Sequence, residues 1–206
     1  MKREPFLKNP FFILLVFALC LSHYACDTSK TGMEGQDNGS QQSFSEDDLD
    51  VPYDPTPQIV VEEMLKLAEV KKGDVVYDLG CGDGRIVVTA AVKYGVKAVG
   101  VDLDPERVRE SEENVRVNGV EDLVTIRREN IFDTDVSEAS VVTLYLYPSV
   151  NLALKPILLE QLEPGSRIVS HAFDMGNWEP EKEVIVEYEG APYEIFLWRI
   201  PEPDSP

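Results

Sequence analysis

Cysteine is scarce in this chain of 206 residues: Cys20, Cys26 and Cys81 are the only three. That excludes a disulfide framework, and no Cys/His spacing reads as a zinc or other metal site. Basic residues are also few, 19 Lys and Arg against 38 Asp and Glu, for a formal charge of −19. A nucleic-acid backbone is a poor partner for such a surface, because its phosphates would be repelled. An acidic surface either attracts a basic protein or serves solubility alone. A long apolar run is missing too. The stretch Phe11 to Leu21 is short for a membrane-spanning helix, although residues 11–26, with the polar pair tolerated, are just long enough to cross. Nor is there a dinucleotide fingerprint, which needs two residues between its second and third glycines.

Glycines of another spacing are present. Residues 77–85 read Tyr-Asp-Leu-Gly-Cys-Gly-Asp-Gly-Arg. An apolar run, Val75 to Tyr77, leads into Asp78; glycines alternate at 80, 82 and 84; a helical pattern follows from Arg85 to Tyr94. The pattern predicts a strand, a tight turn and a helix start. Missing Cβ atoms let a ligand approach the backbone, and free N–H groups at the helix start favour a polar or anionic ligand. A second short apolar strand, Lys97 to Val101, ends in Asp102. Ligands of open α/β sheets sit outside the carboxyl ends of strands. A carboxylate there can accept both hydroxyls of a ribose, being a pure acceptor. The competing reading is that Asp102 and Asp104 cap a helix at Pro105, and Asp104 directly before Pro105 suits an N-cap.

Three regions are expected. Residues 1–26 read as a signal-like or membrane-tether segment. Lys2, Arg3 and Lys8 precede the apolar run, and Ser22-His23-Tyr24-Ala25-Cys26 follows. Cys26 invites a lipoprotein reading, although His23 and Tyr24 fit that signal poorly. Membrane association through the N-terminus is the expectation; cleavage, acylation or a stable anchor, and the side of the membrane, stay open. Residues 27–50 are rich in Gly, Ser, Gln, Asp and Glu and read as a flexible acidic linker. The domain spans 51–206. Thr56 is expected as N-cap and Pro57 as the first residue of a helix with an apolar face at Val60, Val61, Met64 and Leu65. Strands are predicted at 75–79, 97–102, 123–128, 140–147 and 166–171, and helices at 84–94, 105–117 and 150–162. This alternation implies an α/β fold: a Rossmann-like, doubly wound, mostly parallel sheet. Val184 to Tyr188, Gly190 and Tyr193 to Ile200 read as a C-terminal antiparallel hairpin.

The Asp-x-Gly-x-Gly-x-Gly turn with Asp102 closing the next strand resembles motif I of class I S-adenosyl-L-methionine methyltransferases. The likeness narrows with Pro52-Tyr-Asp-Pro-Thr-Pro-Gln58, Gly-Asp-Gly-Arg-Ile-Val, Ala-Val-Gly-Val-Asp-Leu-Asp-Pro, Tyr147-Pro148 and Phe173…Trp178-x-Pro180. Over residues 52–180 the chain is similar to the membrane-associated lysine methyltransferases of the ATP synthase c-ring protein and adenine nucleotide translocase, with their bacterial relatives. Two departures stand out. Asn130 replaces an acid that reads the adenine amino group in many class I enzymes, and an amide oxygen can accept the same bond. The strand ending at Tyr147 lacks the Asp/Asn-Pro-Pro-Tyr motif, against DNA, RNA-base and glutamine substrates.

The resemblance implies a cofactor, S-adenosyl-L-methionine, and a protein substrate, a lysine side chain, with a small membrane protein as the candidate bearer. It implies cofactor contacts from Thr56, Asp78, Gly80, Cys81, Gly82, Asp83, Gly84, Asp102, Leu103, Asn130 and Ile131. The turn faces the methionine part, Asp102 the ribose, and Asn130 and Ile131 the adenine. Thr56 and Gln58 lie in a loop that could close over the cofactor. Asp83 and Arg85 are expected to pair. Tyr145 and Tyr147 are the catalytic candidates, lining the acceptor entry. His171 is either a base or a hydrogen-bonded structural histidine; Trp178 lines the acceptor channel or covers the sheet. Two other functions stay open on the sequence: a small-molecule methyltransferase, and a non-catalytic binding module of the same fold exported as a lipoprotein.

Overall fold

The structure, a computed structural model, describes residues 53–202. Its elements alternate as expected. Helix α1 (Gln58–Leu67) precedes β1 (Val75–Leu79), α2 (Arg85–Tyr94), β2 (Lys97–Asp102), α3 (Pro105–Asn118), β3 (Val124–Arg128) and β4 (Val141–Leu144). Then come α4 (Pro148–Gln161), β5 (Arg167–His171), β6 (Lys182–Tyr188) and β7 (Ala191–Arg199). The seven strands form one sheet in the order β3-β2-β1-β4-β5-β7-β6. The first five are parallel; β7 runs antiparallel to β5, and β6 to β7. This is the class I methyltransferase fold. The chain leaves β1 towards β2 and β3, then returns to lay β4 on the other side of β1. The carboxyl ends of β1 and β4 therefore flank a topological switch point.

Strand periodicity builds the core. In β1, Val76 joins the apolar layer under α1, α2 and α3; Tyr77 and Leu79 point oppositely, into the layer under α4. Helix ends follow local chemistry. The Asp104 carboxylate accepts the Glu106 N–H at 2.7 Å ahead of Pro105, so it does cap α3. Gly95 and Gly119 close α2 and α3 in the left-handed conformation.

Three expectations need correction. The fourth strand ends at Leu144 rather than Tyr147. Its neighbours' pairing stops there, at Leu79 of β1 and Ser170 of β5, so Tyr145–Tyr147 have no ladder to join. Thr56 does not cap α1. Pro57 holds that position without a side-chain bond, and the Thr56 hydroxyl is turned to His171 Nδ1, 3.1 Å away. The membrane localisation is overturned as well. No helix of the described residues is long and apolar enough to cross a membrane; α3 and α4, the longest, have 14 residues against the ~20 a bilayer needs. Segments 1–26 and 27–50, on which the tether and linker expectations rested, lie outside the described residues.

A buried ion pair ties the helical layer to the sheet. The Arg167 guanidinium on β5 pairs with Asp74 and donates to the carbonyls of Ala68 and Glu69, beyond α1. Asp74 also accepts the Lys71 N–H and the Ser140 hydroxyl. Burial pushes its carboxyl up, but Arg167 and these donors outweigh that and hold it below the usual range. Arg167→Met strands a buried carboxylate. It should lower unfolding free energy by about 3–5 kcal/mol, read from urea denaturation, whereas exposed pairs such as Lys66–Glu63 should count for ~0–1 kcal/mol.

Candidate active site

The turn after β1 takes its shape from β2. The Gly80 and Cys81 N–H groups donate to the Val101 carbonyl at 2.8 and 2.9 Å, and the Gly82 N–H donates to Asp102 Oδ2 at 2.8 Å. Gly82 has φ +54°, and a Cβ there would stand 2.7 Å from a ring carbon of Tyr53, closer than atoms pack. Cys81 is buried against Gly100 of β2, whose own Cβ would meet the sulfur at 2.9 Å. Burial pushes the Cys81 thiol up, so it stays neutral. Gly84 is absent from the cleft wall. It starts α2, and a Cβ there would lie 2.8 Å from that of Ser111 on α3; its smallness serves helix packing.

A cleft of about 940 Å³ opens over this turn. It is lined by every expected site residue except Gly84: Thr56, Asp78, Gly80, Cys81, Gly82, Asp83, Asp102, Leu103, Asn130, Ile131, Tyr145 and Tyr147. Asp102 holds Gly82 with one oxygen and accepts the Asp104 N–H at 3.0 Å with the other. Each oxygen keeps a lone pair, and burial raises the carboxyl. Asp83 and Arg85 pair as expected, through Nε and Nη2, while Arg85 Nη1 donates to the Thr56 carbonyl at 2.8 Å. Burial pushes Asp83 up, but Arg85 more than offsets it and the carboxyl stays low. The Asn130 amide oxygen accepts the Phe132 N–H at 3.0 Å, which shapes the turn after β3.

The segment before α1 crosses the turn. Tyr53 lies over Gly82, and the Arg107 guanidinium sits 4.4 Å from its ring centroid. Asp54 accepts the Tyr145 hydroxyl at 3.2 Å. Phe173, after β5, stacks with Tyr145 at 6.3 Å and tilts against Tyr147 at 6.2 Å. All of these line the cleft. Burial and Asp54 push the Tyr145 hydroxyl up to about 12. Tyr53, Asp54, Arg107 and Phe173 are cleft residues that no sequence motif singles out. Tyr53, Asp54 and Phe173 lie in the segments that carry the family resemblance, and that was their available signal.

Other candidates fall outside. His171 is buried and does not line the cleft. It sits between Thr56 and the Tyr145 ring, 3.9 Å between centroids, and burial pushes it down to about 4. Buried, held by Thr56 and away from the cleft lining, it fits the reading of a hydrogen-bonded structural histidine. Trp178 packs on Trp198, whose indole N–H donates to its carbonyl at 2.7 Å, so it covers the sheet. Gln58 bonds Thr89 of α2 instead of entering the cleft.

Asp78 carries the largest perturbation of the cleft carboxylates. Complete burial pushes it up to about 7, the Thr143 hydroxyl at 2.7 Å offsets part of this, and Asp102 adds repulsion. The folded protein therefore holds a proton there that the unfolded chain, titrating near 4, releases. Stability should be greatest below about pH 4 as far as this group decides it, and fall as pH rises to about 7, by on the order of a few kcal/mol. Asp78→Asn keeps the acceptor for Thr143 and should abolish this slope in urea denaturation of the ligand-free protein at pH 4.5 and 8.

Comparison with known proteins places this geometry. Residues 78–182 match the model of the ANTKMT methyltransferase domain. A protein-lysine N-methyltransferase of Saccharolobus islandicus is 48% identical over 153 residues, 74% of this chain and 95% of that protein. The adenine nucleotide translocase lysine N-methyltransferase of Mus musculus is 34% identical over 64% of this chain, which spans 57% of that longer protein. A crystal structure of an RNA methyltransferase from Salinibacter ruber, in complex with S-adenosyl-L-homocysteine, superposes with a TM-score of 0.69 at 51% identity, covering 74% of this chain and 98% of that one. With the sheet order and the glycine turn, these matches establish that the chain belongs to the ANTKMT methyltransferase domain family and is an S-adenosyl-L-methionine-dependent methyltransferase.

Proposed function

We propose that the chain is a protein-lysine N-methyltransferase. The observation that carries this reading is the aromatic end of the cleft. Tyr145, Tyr147 and Phe173 line it at the carboxyl ends of β4 and β5, in the same cleft as the glycine turn. Relatives named as lysine methyltransferases support it. The residues present fit the cofactor. Gly80 and Gly82 bring the backbone of the turn to the cleft wall, and Asp102 has acceptor capacity for ribose hydroxyls. Leu103, Asn130 and Ile131 would bound the adenine; Gly80 to Asp83, with Thr56, would border the methionine part; Asp78, beneath the turn, would face the amino group directly or through water. When bound, S-adenosyl-L-methionine supplies the methyl group.

This chain's task at the acceptor end is to orient an amine and keep it neutral. Orientation accounts for much of the rate in an in-line displacement. A half-dry pocket walled by Tyr145, Tyr147 and Phe173 disfavours the charged amine and lowers its pKa. With His171 neutral and outside the cleft, the proton would leave to water before transfer.

The Salinibacter ruber relative's name points to RNA. Against a polyphosphate stand the charge of −19 and, at the aromatic end of the cleft, the exposed Asp54, which no Lys or Arg of the described residues pairs with. Labelled S-adenosyl-L-methionine, incubated with the enzyme and separated protein, RNA and small-molecule fractions, decides between them. Methyllysine after acid hydrolysis of the protein fraction is expected; label confined to RNA or to small metabolites overturns the reading. Asp102→Ala should weaken S-adenosyl-L-homocysteine binding by on the order of 1.5–3 kcal/mol by calorimetry. Tyr147→Ala should cut turnover several-fold more than it cuts cofactor affinity.

A further inference from the structure

Five carboxylates line the cleft: Asp54, Asp78, Asp83, Asp102 and Asp104. Four are committed. Asp78 is buried on Thr143; Asp83 is forked by Arg85; Asp102 holds two backbone N–H groups; Asp104 caps α3. Asp54 differs. It is exposed, and among the described residues its one hydrogen bond comes from the Tyr145 hydroxyl and no Lys or Arg pairs with it. The cationic groups that line the cleft are held elsewhere: Arg85 by Asp83, Arg107 by Glu110 and over Tyr53, and Arg128 on the Leu103 carbonyl.

The aromatic end of the cleft therefore contains one uncompensated negative charge, fixed by Tyr145. Beside it stand the rings of Tyr145, Tyr147 and Phe173. An aromatic face attracts a cation and also packs an aliphatic stem. A ligand with an apolar stem and a cationic head satisfies both features. A neutral amide, a carboxylate or a phosphate satisfies neither.

We propose that Asp54 is the specificity-determining residue for the methyl acceptor: its carboxylate captures the protonated side-chain amine as the substrate enters, while the aromatic rings pack its methylenes. This rests on the lysine reading and names the group that selects for it. Capture acts on the ground state, so Asp54 sets the concentration of acceptor required more than the turnover at saturation.

The test compares wild type, Asp54→Asn and Asp54→Glu, with labelled S-adenosyl-L-methionine and the protein fraction of a cell extract as acceptor at increasing total concentration. Asp54→Asn keeps an oxygen for the Tyr145 hydroxyl and removes only the charge. It should raise the half-saturating acceptor concentration for methyllysine formation roughly ten- to a hundredfold. S-adenosyl-L-homocysteine affinity and thermal midpoint should match wild type. Asp54→Glu should recover most of the loss, and added salt should weaken acceptor binding more in wild type than in Asp54→Asn. An unchanged half-saturating concentration in Asp54→Asn overturns the proposal. So does an Asp54→Glu as impaired as Asp54→Asn, or lost S-adenosyl-L-homocysteine binding, which would put Asp54 in the cofactor site. If wild type binds S-adenosyl-L-homocysteine yet forms no methyllysine, the lysine reading itself fails and this assignment falls with it.

Discussion

The end of β2 governs the shape of the whole site. One carbonyl, that of Val101, receives two N–H groups of the glycine turn, and the next residue's carboxylate receives a third. Backbone donors in a buried turn must find acceptors, and here a neighbouring strand supplies them. The arrangement works only if β1 and β2 stay in parallel register, Leu79 against Val101, and if nothing intervenes between turn and strand. Cys81 and Gly100 meet that second condition as a pair. The sulfur fills the space that the missing Cβ leaves. Asp102 is thus fixed before any ligand arrives, and preorganised acceptors lose little on binding.

This dependence explains why part of the site is legible in sequence. Asp78, Gly80, Gly82 and Asp102 lie on adjoining elements whose lengths are set by strand and helix geometry, so their spacing encodes their meeting; Gly84 shares that spacing but serves the packing of α2 on α3. The capping Asp104 is legible for the same reason, because its partner is two residues away. Other features depend on contacts that no local pattern encodes. Thr56 looks like an N-cap and instead bonds His171, a residue 115 positions further on. Tyr145 to Tyr147 continue an apolar strand pattern, yet the strand stops where its neighbours stop pairing. Gly100 reads as an ordinary strand residue until the thiol packed against it is seen. Tyr53 and Asp54 look like lead-in residues to a helix and prove to be a wall of the cleft.

Burial and pairing divide the cleft's charges by function. A carboxylate deep in the sheet, Asp78, is driven towards its neutral form; one forked by a guanidinium, Asp83, is held ionised. The same split separates the two ends of the cleft. Over the turn, Asp83, Asp102 and Asp104 are tied to Arg85 or to backbone N–H groups, so their charge is spent on the protein's own architecture. At the aromatic end the neutral His171 lies behind Tyr145, whose hydroxyl is donated to Asp54. On the proposed lysine reading, desolvation there acts on an incoming amine in one direction and Asp54 in the other. Burial among rings favours the neutral form that can attack, while the exposed carboxylate favours the cation that is abundant in solution. Asp54 and the Tyr145 hydroxyl are in contact at 3.2 Å, so the two demands meet at one place, and the proposed acceptor must give up its proton there before it attacks.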